Sequence, residues 1–225
     1  MILNSLFSIF DPSTNYYLSM NWLSLIFMTI FVPFKFWYSP SKLNILLTLL
    51  LNKINNELKI SLTKNINKMN LLFFMSLFIY ILMNNFISLF PYIFSNTSHL
   101  SFSLFFSMNF WMTFMLMGLM NNLIHMLSHF TPQGTPVLLL PFMVLIESIS
   151  NLIRPITLAI RLTANIIAGH LLMTLLSQMI SSMEFYLMIL LIMIQTFLVI
   201  LEIAVSFIQS YVFMILCSLY LAESY

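Results

Sequence analysis

Residues 137–177 read VLLLPFMVLIESISNLIRPITLAIRLTANIIAGHLLMTLLS, an apolar run whose formal charges are Glu147, Arg154 and Arg161. A second run, 185–221, is more apolar still and carries Glu202 between Gln195 and Gln209. At 1.5 Å per residue, helices of these lengths would reach roughly 55–60 Å, about twice the ~30 Å hydrocarbon core of a bilayer. Either they break, the first of them at Pro155, or they lie strongly tilted as a hairpin turning at Ser181-Ser182-Met183-Glu184. The whole chain demands lipid as solvent. Of 225 residues 61% are hydrophobic, 16% aromatic and 6% charged, with a mean hydropathy of +1.01. Eight Lys/Arg and six Asp/Glu cannot cover the exterior of a soluble fold of this size. A water-soluble globule is excluded, and the expected class is an all-α membrane protein forming one membrane domain.

Shorter apolar runs at 16–37, 70–90 and 103–127 are each near the roughly 20 residues a transmembrane helix needs. Asp11-Pro12, Pro91-Tyr92 and the stretch Thr131-Pro132-Gln133-Gly134-Thr135-Pro136 punctuate them. From the end of the first of these runs to the start of the second lie all six lysines: Lys35, Lys42, Lys53, Lys59, Lys64 and Lys68. The positive-inside rule assigns that segment to the compartment of synthesis. Within it Leu43, Leu46, Leu47, Leu50, Leu51, Ile54 and Leu58 recur at helical spacing, so 43–60 reads as an amphipathic helix on the membrane surface. Parity then gives five crossings, with the N-terminus outside and the C-terminus inside. No basic residue precedes Lys35, so no cleaved signal is expected, and the lone Cys217 reads as a small buried hydrophobe. Met 19 and Phe 23 against Gly 3 suggest A+T pressure on the gene, as in organelle genomes.

Ionisable groups inside apolar helices are costly and need a partner, a water-filled cavity or a function. Glu147, Arg154 and Arg161 are seven apart, as are Gln195, Glu202 and Gln209. Seven residues fall about 20° short of two full turns, so each trio makes a stripe along one helix face. In an antiparallel hairpin one register sets Arg161 opposite Gln209, His170 opposite Glu202 and Glu147 opposite Glu223. Three levels result, with His170 and Glu202 toward the outside, Glu147 and Glu223 toward the inside, and Arg161 with Asn165 between. Carboxylates and imidazole exchange protons near neutral pH, whereas guanidinium does not give its proton up. Two half-channels that do not meet are the implied device. Ala159, Ala164, Ala168 and Gly169 would let a helix, of this chain or of a partner, approach closely.

Here the chain resembles a family. Arg161-Leu162-Thr163-Ala164-Asn165, Ala168-Gly169-His170-Leu171-Leu172, Glu202-Ile203-Ala204-Val205 and Gln209-Ser210-Tyr211-Val212-Phe213 look like the signature of subunit a of the mitochondrial F-type ATP synthase. Glu147-Ser148-Ile149-Ser150 and Phe10-Asp11-Pro12 also fit it, and the helix plan extends the resemblance over essentially the whole chain. The resemblance implies a stator arginine, Arg161, facing carboxylates of a rotating ring of c subunits. It implies that His170 and Glu202 belong to the half-channel from the intermembrane space, and Glu147 and Glu223 to the matrix one. The small-residue patch would then press on the ring, and peripheral-stalk subunits and membrane lipid would be further partners.

His125 and His129 stand at i, i+4, but a metal or haem would need two more ligands from His99 and His170, so no metal and no cofactor are expected. No phosphate-binding glycine loop occurs, so neither direct nucleotide nor nucleic-acid binding is expected. A proton-coupled secondary transporter would show paired halves with interrupted helices. A proton-pumping respiratory subunit would thread the same groups into one continuous relay.

Overall fold

A computed structural model describes residues 7, 10–14, 19–30, 38–62, 68–90, 93–121, 123–131, 136, 139–180 and 184–224. Within these the chain is all α-helix: α1 (Ser24–Ile30), α2 (Lys42–Ser61), α3 (Lys68–Ser88), α4 (Leu100–Asn121), α5 (Leu123–His129), α6 (Leu140–Ile180) and α7 (Phe185–Ser224), with short 3-10 turns at Met20–Leu23 and Asn96–Ser98. Among the described residues four helices are long and apolar enough to cross a membrane: Met69–Ser88, Leu100–Asn121, Leu140–Ile180 and Phe185–Ala222. The crossing expected at 16–37 is described only as the turn at Met20–Leu23 and α1. The turns expected at 131–136 and 181–184 lie mostly outside the described residues.

The alternative left open for the long runs is resolved at Pro155. Helix α6 continues through it for 41 residues, although proline removes the N–H that would bond the carbonyl of Asn151. Pro155 is fully buried, so packing on both sides holds the helix together where its own ladder lapses. An unbroken helix of this length, about 60 Å, fits inside a ~30 Å apolar slab only at a steep incline.

The single crossing expected at 103–127 is instead two helices. Met126 of α5 lies against Gly118 of α4, where a Cβ would stand 3.0 Å from the methionine Sδ. Eight residues span about 12 Å along a straight helix, beyond the reach of a methionine side chain, so α5 is angled back onto α4.

Helix α2 starts where Ser41 caps it, its hydroxyl accepting from the Asn44 N–H at 3.3 Å. It is docked more firmly than a surface helix need be. Leu58 and Leu62 at its C-terminal end join the central core with Phe74, Leu77, Phe78 and Ile81 of α3, Phe114 of α4, Leu158, Leu162 and Ile166 of α6, and Phe213, Met214, Cys217 and Leu221 of α7. The Tyr211 hydroxyl of α7 also donates to the Glu57 carboxylate of α2. Removing that hydroxyl in Tyr211→Phe is expected to cost on the order of 0.5–1 kcal/mol, read as a coupling energy in a double-mutant cycle with Glu57→Gln.

Phenylalanine does much of the packing. Phe73, Phe74, Phe106, Phe110, Phe114 and Phe213 form a run of ring contacts joining α3, α4 and α7 at 5.6–6.5 Å between centroids. Phe74 is completely buried at its centre. Truncation to alanine leaves a void that lipid cannot fill, and is expected to cost about 3 kcal/mol of tertiary stability, measurable by steric-trap unfolding in bicelles.

Polar groups inside the spans follow a simple rule. Ser88, Ser103, Ser107, Thr163, Ser206, Ser210 and Ser218 each donate to a carbonyl three residues back in their own helix.

Candidate functional site

Helix α6 has two faces of different character. Leu158, Ala159, Leu162, Thr163, Ile166, Gly169 and His170 are buried against the rest of the chain. Arg161, Ala164, Asn165, Ala168 and Leu172, at i, i+3, i+4, i+7 and i+11, form an exposed stripe. The four small residues grouped by sequence are therefore divided. Ala164 and Ala168 flank Arg161 on the open face, while Ala159 and Gly169 are spent on internal packing and cannot meet a partner. Residue 159 points about 160° away from 161 around the helix, whereas Gly169, only about 80° round from 161, is covered because the Glu202 side chain of α7 lies on it.

Arg161 has neither a hydrogen-bond nor an ion-pair partner among the described residues, and the same is true of Asn165 and Gln209. A guanidinium in the middle of an apolar 41-residue helix, open to the side, is costly and stands out among the side chains of α6.

Toward the other end of α6, His170 is enclosed. Its Nε2 lies 2.6 Å from the Ser88 carbonyl of α3, which only accepts, so Nε2–H donates. The Phe10 ring stands edge-on to it at 6.1 Å. Glu202 of α7 sits on the neighbouring residue: a Cβ on Gly169 would stand 2.7 Å from Glu202 Oε1 and 2.8 Å from Cδ. That oxygen is buried without a partner. The register set His170 opposite Glu202; the contact found is between Glu202 and Gly169, one residue away, and lack of a side chain at 169 is what admits the carboxylate between the helices.

At the opposite end Arg154 lies 4.0 Å from Glu147, two turns along its own helix, and 5.9 Å from the Tyr220 ring of α7. Together with the 169/202 contact this fixes α6 and α7 as antiparallel, 154 falling opposite 220. Arg154 thus has a carboxylate and an aromatic ring beside it. Glu223 belongs to α7, but its side chain lies outside the described residues, as do those of His125 and His129.

The surroundings of His170 were not legible beforehand. The segment 94–98 is buried, and Asn96 Nδ2 donates to Ser24 Oγ at 2.6 Å, tying it to α1. His99 is clasped by Trp22 and Phe94, both at 5.1 Å between ring centroids, and hydrogen bonds to the Phe10 backbone. Burial lowers its pKa below the usual imidazole value of 6.5, with the Phe10 bond opposing. Below about pH 6.5 the unfolded imidazole takes up a proton that the folded one resists, so stability should fall on acidification through that range. His99→Phe is expected to flatten this slope, measured as thermal midpoint between pH 5 and 8.

Comparison with known proteins decides the family. The family described as ATP synthase A chain matches residues 18–222. The chain belongs to that family. A curated relative from Locusta migratoria, ATP synthase subunit a, is 50% identical over 225 residues, all of both chains. Subunit a of Drosophila simulans and of Drosophila melanogaster are each 48% identical over 170 residues, 76% of this chain and of theirs. Family membership makes this a multi-pass membrane-sector subunit that works with other ATP synthase subunits.

Proposed function

We propose that this chain is the stator of a proton-driven rotary motor in the mitochondrial inner membrane, its N-terminus toward the intermembrane space and its C-terminus toward the matrix. The observation that carries the reading is Arg161, without a partner among the described residues and flanked by Ala164 and Ala168 on the open face of α6. Such a face suits a ring of c subunits whose carboxylates pass close by. A ring carboxylate travels through lipid neutral, because burying it charged would cost several kcal/mol. Near Arg161 the cation favours its ionisation, and the proton leaves by the half-channel open at that point. Rotation carries it on until the second half-channel reloads it. Arg161 never deprotonates, so it also blocks a direct leak between the channels.

His170 and Glu202 then serve the half-channel from the intermembrane space, and Glu147 and Glu223 the matrix one, with Arg154 holding Glu147. Asn165, one turn past Arg161, and Gln209 on α7 polarise the space where the ring carboxylate meets the arginine. Each charge crossing the membrane releases about 2.3 kcal/mol per 100 mV, so several per ATP drive synthesis. The family match and the absence of paired halves in the sequence weigh against a self-contained transporter.

Glu202→Gln tests the proton path with minimal change of shape. It is expected to cut proton-driven ATP synthesis by about tenfold or more in a fully assembled complex. Unchanged synthesis would show that protons do not pass through Glu202.

A further inference from the structure

Polar atoms left without a partner in this chain are not scattered. Among the described residues the buried, unpartnered side-chain atoms are Asn84 Oδ1, both amide atoms of Asn85, Asn96 Oδ1, Thr97 Oγ1, His99 Nε2, Glu202 Oε1 and, apart from the rest, Asn55 Oδ1. All but the last lie on α3, α7 or the 96–99 segment, the elements packed around His170. Hydroxyls elsewhere in the spans are satisfied by their own helices, so this clustering is not a general property of the fold.

Asn85 is the extreme case: 1% exposed, yet with neither its carbonyl nor its NH2 bonded. It stands one turn before Ser88, whose hydroxyl donates to the Asn85 backbone carbonyl at 2.6 Å and whose own carbonyl takes the His170 proton. Its neighbour Phe86 packs on Phe207 of α7, five residues past Glu202. Buried amides are nearly always paired, by protein or by ordered water, and a water held there needs two to four polar partners. Asn85, Glu202 Oε1, Asn96 and Thr97 are buried with such unfilled capacity.

We propose that Asn85 holds the water through which protons pass between the His170–Glu202 pair and the outer side, with Asn96 and Thr97 lining the same path. The amide does not ionise. It positions water by donating from Nδ2 and accepting at Oδ1, which makes it a positioning residue. This inference rests on the proton-path reading above.

The test compares Asn85→Leu with Asn85→Ala in assembled ATP synthase. Leucine fills the site without polar atoms, whereas alanine leaves room for further water. Synthesis in the leucine variant is expected to fall at least about fivefold below the alanine variant. Equal losses, or a worse alanine variant, would mark Asn85 as a packing residue and overturn the proposal. If the leucine variant fails to assemble, Asn85→Cys in a Cys217→Ala background replaces it. Silver ion added to the outer side should then block the remaining synthesis while leaving the parent untouched, and absence of block would overturn the proposal. Arg161→Ala in the same membranes separates the two levels: if it abolishes synthesis while the leucine and alanine variants match, only the role of Asn85 falls, whereas unchanged synthesis removes the proton-path reading beneath it.

Discussion

Replacing Arg161 by alanine is expected to lower proton-driven ATP synthesis by about a hundredfold or more while opening the membrane to a passive proton leak. Both effects come from one geometric fact. The guanidinium has no partner among the described residues, so its removal leaves α6 packing intact: Leu158, Leu162 and Ile166 still fill the core. What disappears is the charge that drives ionisation of a passing carboxylate and the barrier that keeps two proton paths apart. Arg161→Lys is the informative companion. It restores a cation, but one that shifts its protonation readily in apolar surroundings and lacks the planar fork, so synthesis should recover little while the leak is reduced. A variant that lost synthesis through poor folding would show less chain in the complex and no leak.

Gly169→Leu should be nearly as damaging for a different reason. At this point α6 and α7 are separated by nothing but the Glu202 carboxyl, and a Cβ would already stand 2.7 Å from its oxygen. Alanine can be admitted if the carboxylate, the free end of a flexible side chain, swings away. Leucine must force the helices apart beside His170. Synthesis is expected to fall by about tenfold or more with leucine and by less with alanine, measured as ATP formed per assembled complex. Equal tolerance of both would mean that the close approach of α6 and α7 at this level is not needed for proton movement.

These two residues also show what could be read from the sequence. Arg161 was legible because charge is scarce: with 6% charged residues, three charges seven apart in an apolar run must share a face. The same spacing on α7 gave a register, and the 169/202 and 154/220 contacts agree with it to within about a turn. Gly169 was misread. Composition grouped it with Ala159, Ala164 and Ala168, but Ala159 faces the core and Gly169 is covered by Glu202 of α7, while Ala164 and Ala168 stay exposed. Helix angles and long-range contacts left no trace either. The bend that brings Met126 onto Gly118 lies within a run of even hydropathy, and the docking of α2 through Leu58, Leu62 and Glu57 depends on where α7 happens to pass. The enclosure of His170 by Phe10 and Ser88 joins residues from three distant parts of the chain, each unremarkable alone. Only the Asn84-Asn85 doublet, two amides in an otherwise apolar crossing, hinted that α3 contributes to the site.

The central claim is that the open face of α6 around Arg161 meets the rotating ring. Disulfide cross-linking in the assembled complex tests it most directly, in a Cys217→Ala background with one cysteine placed beside the ring carboxylate. Ala168→Cys, on the exposed face, should cross-link to the ring, and Leu162→Cys, on the buried face, should not. Cross-linking from position 162 with none from 168 would contradict the account.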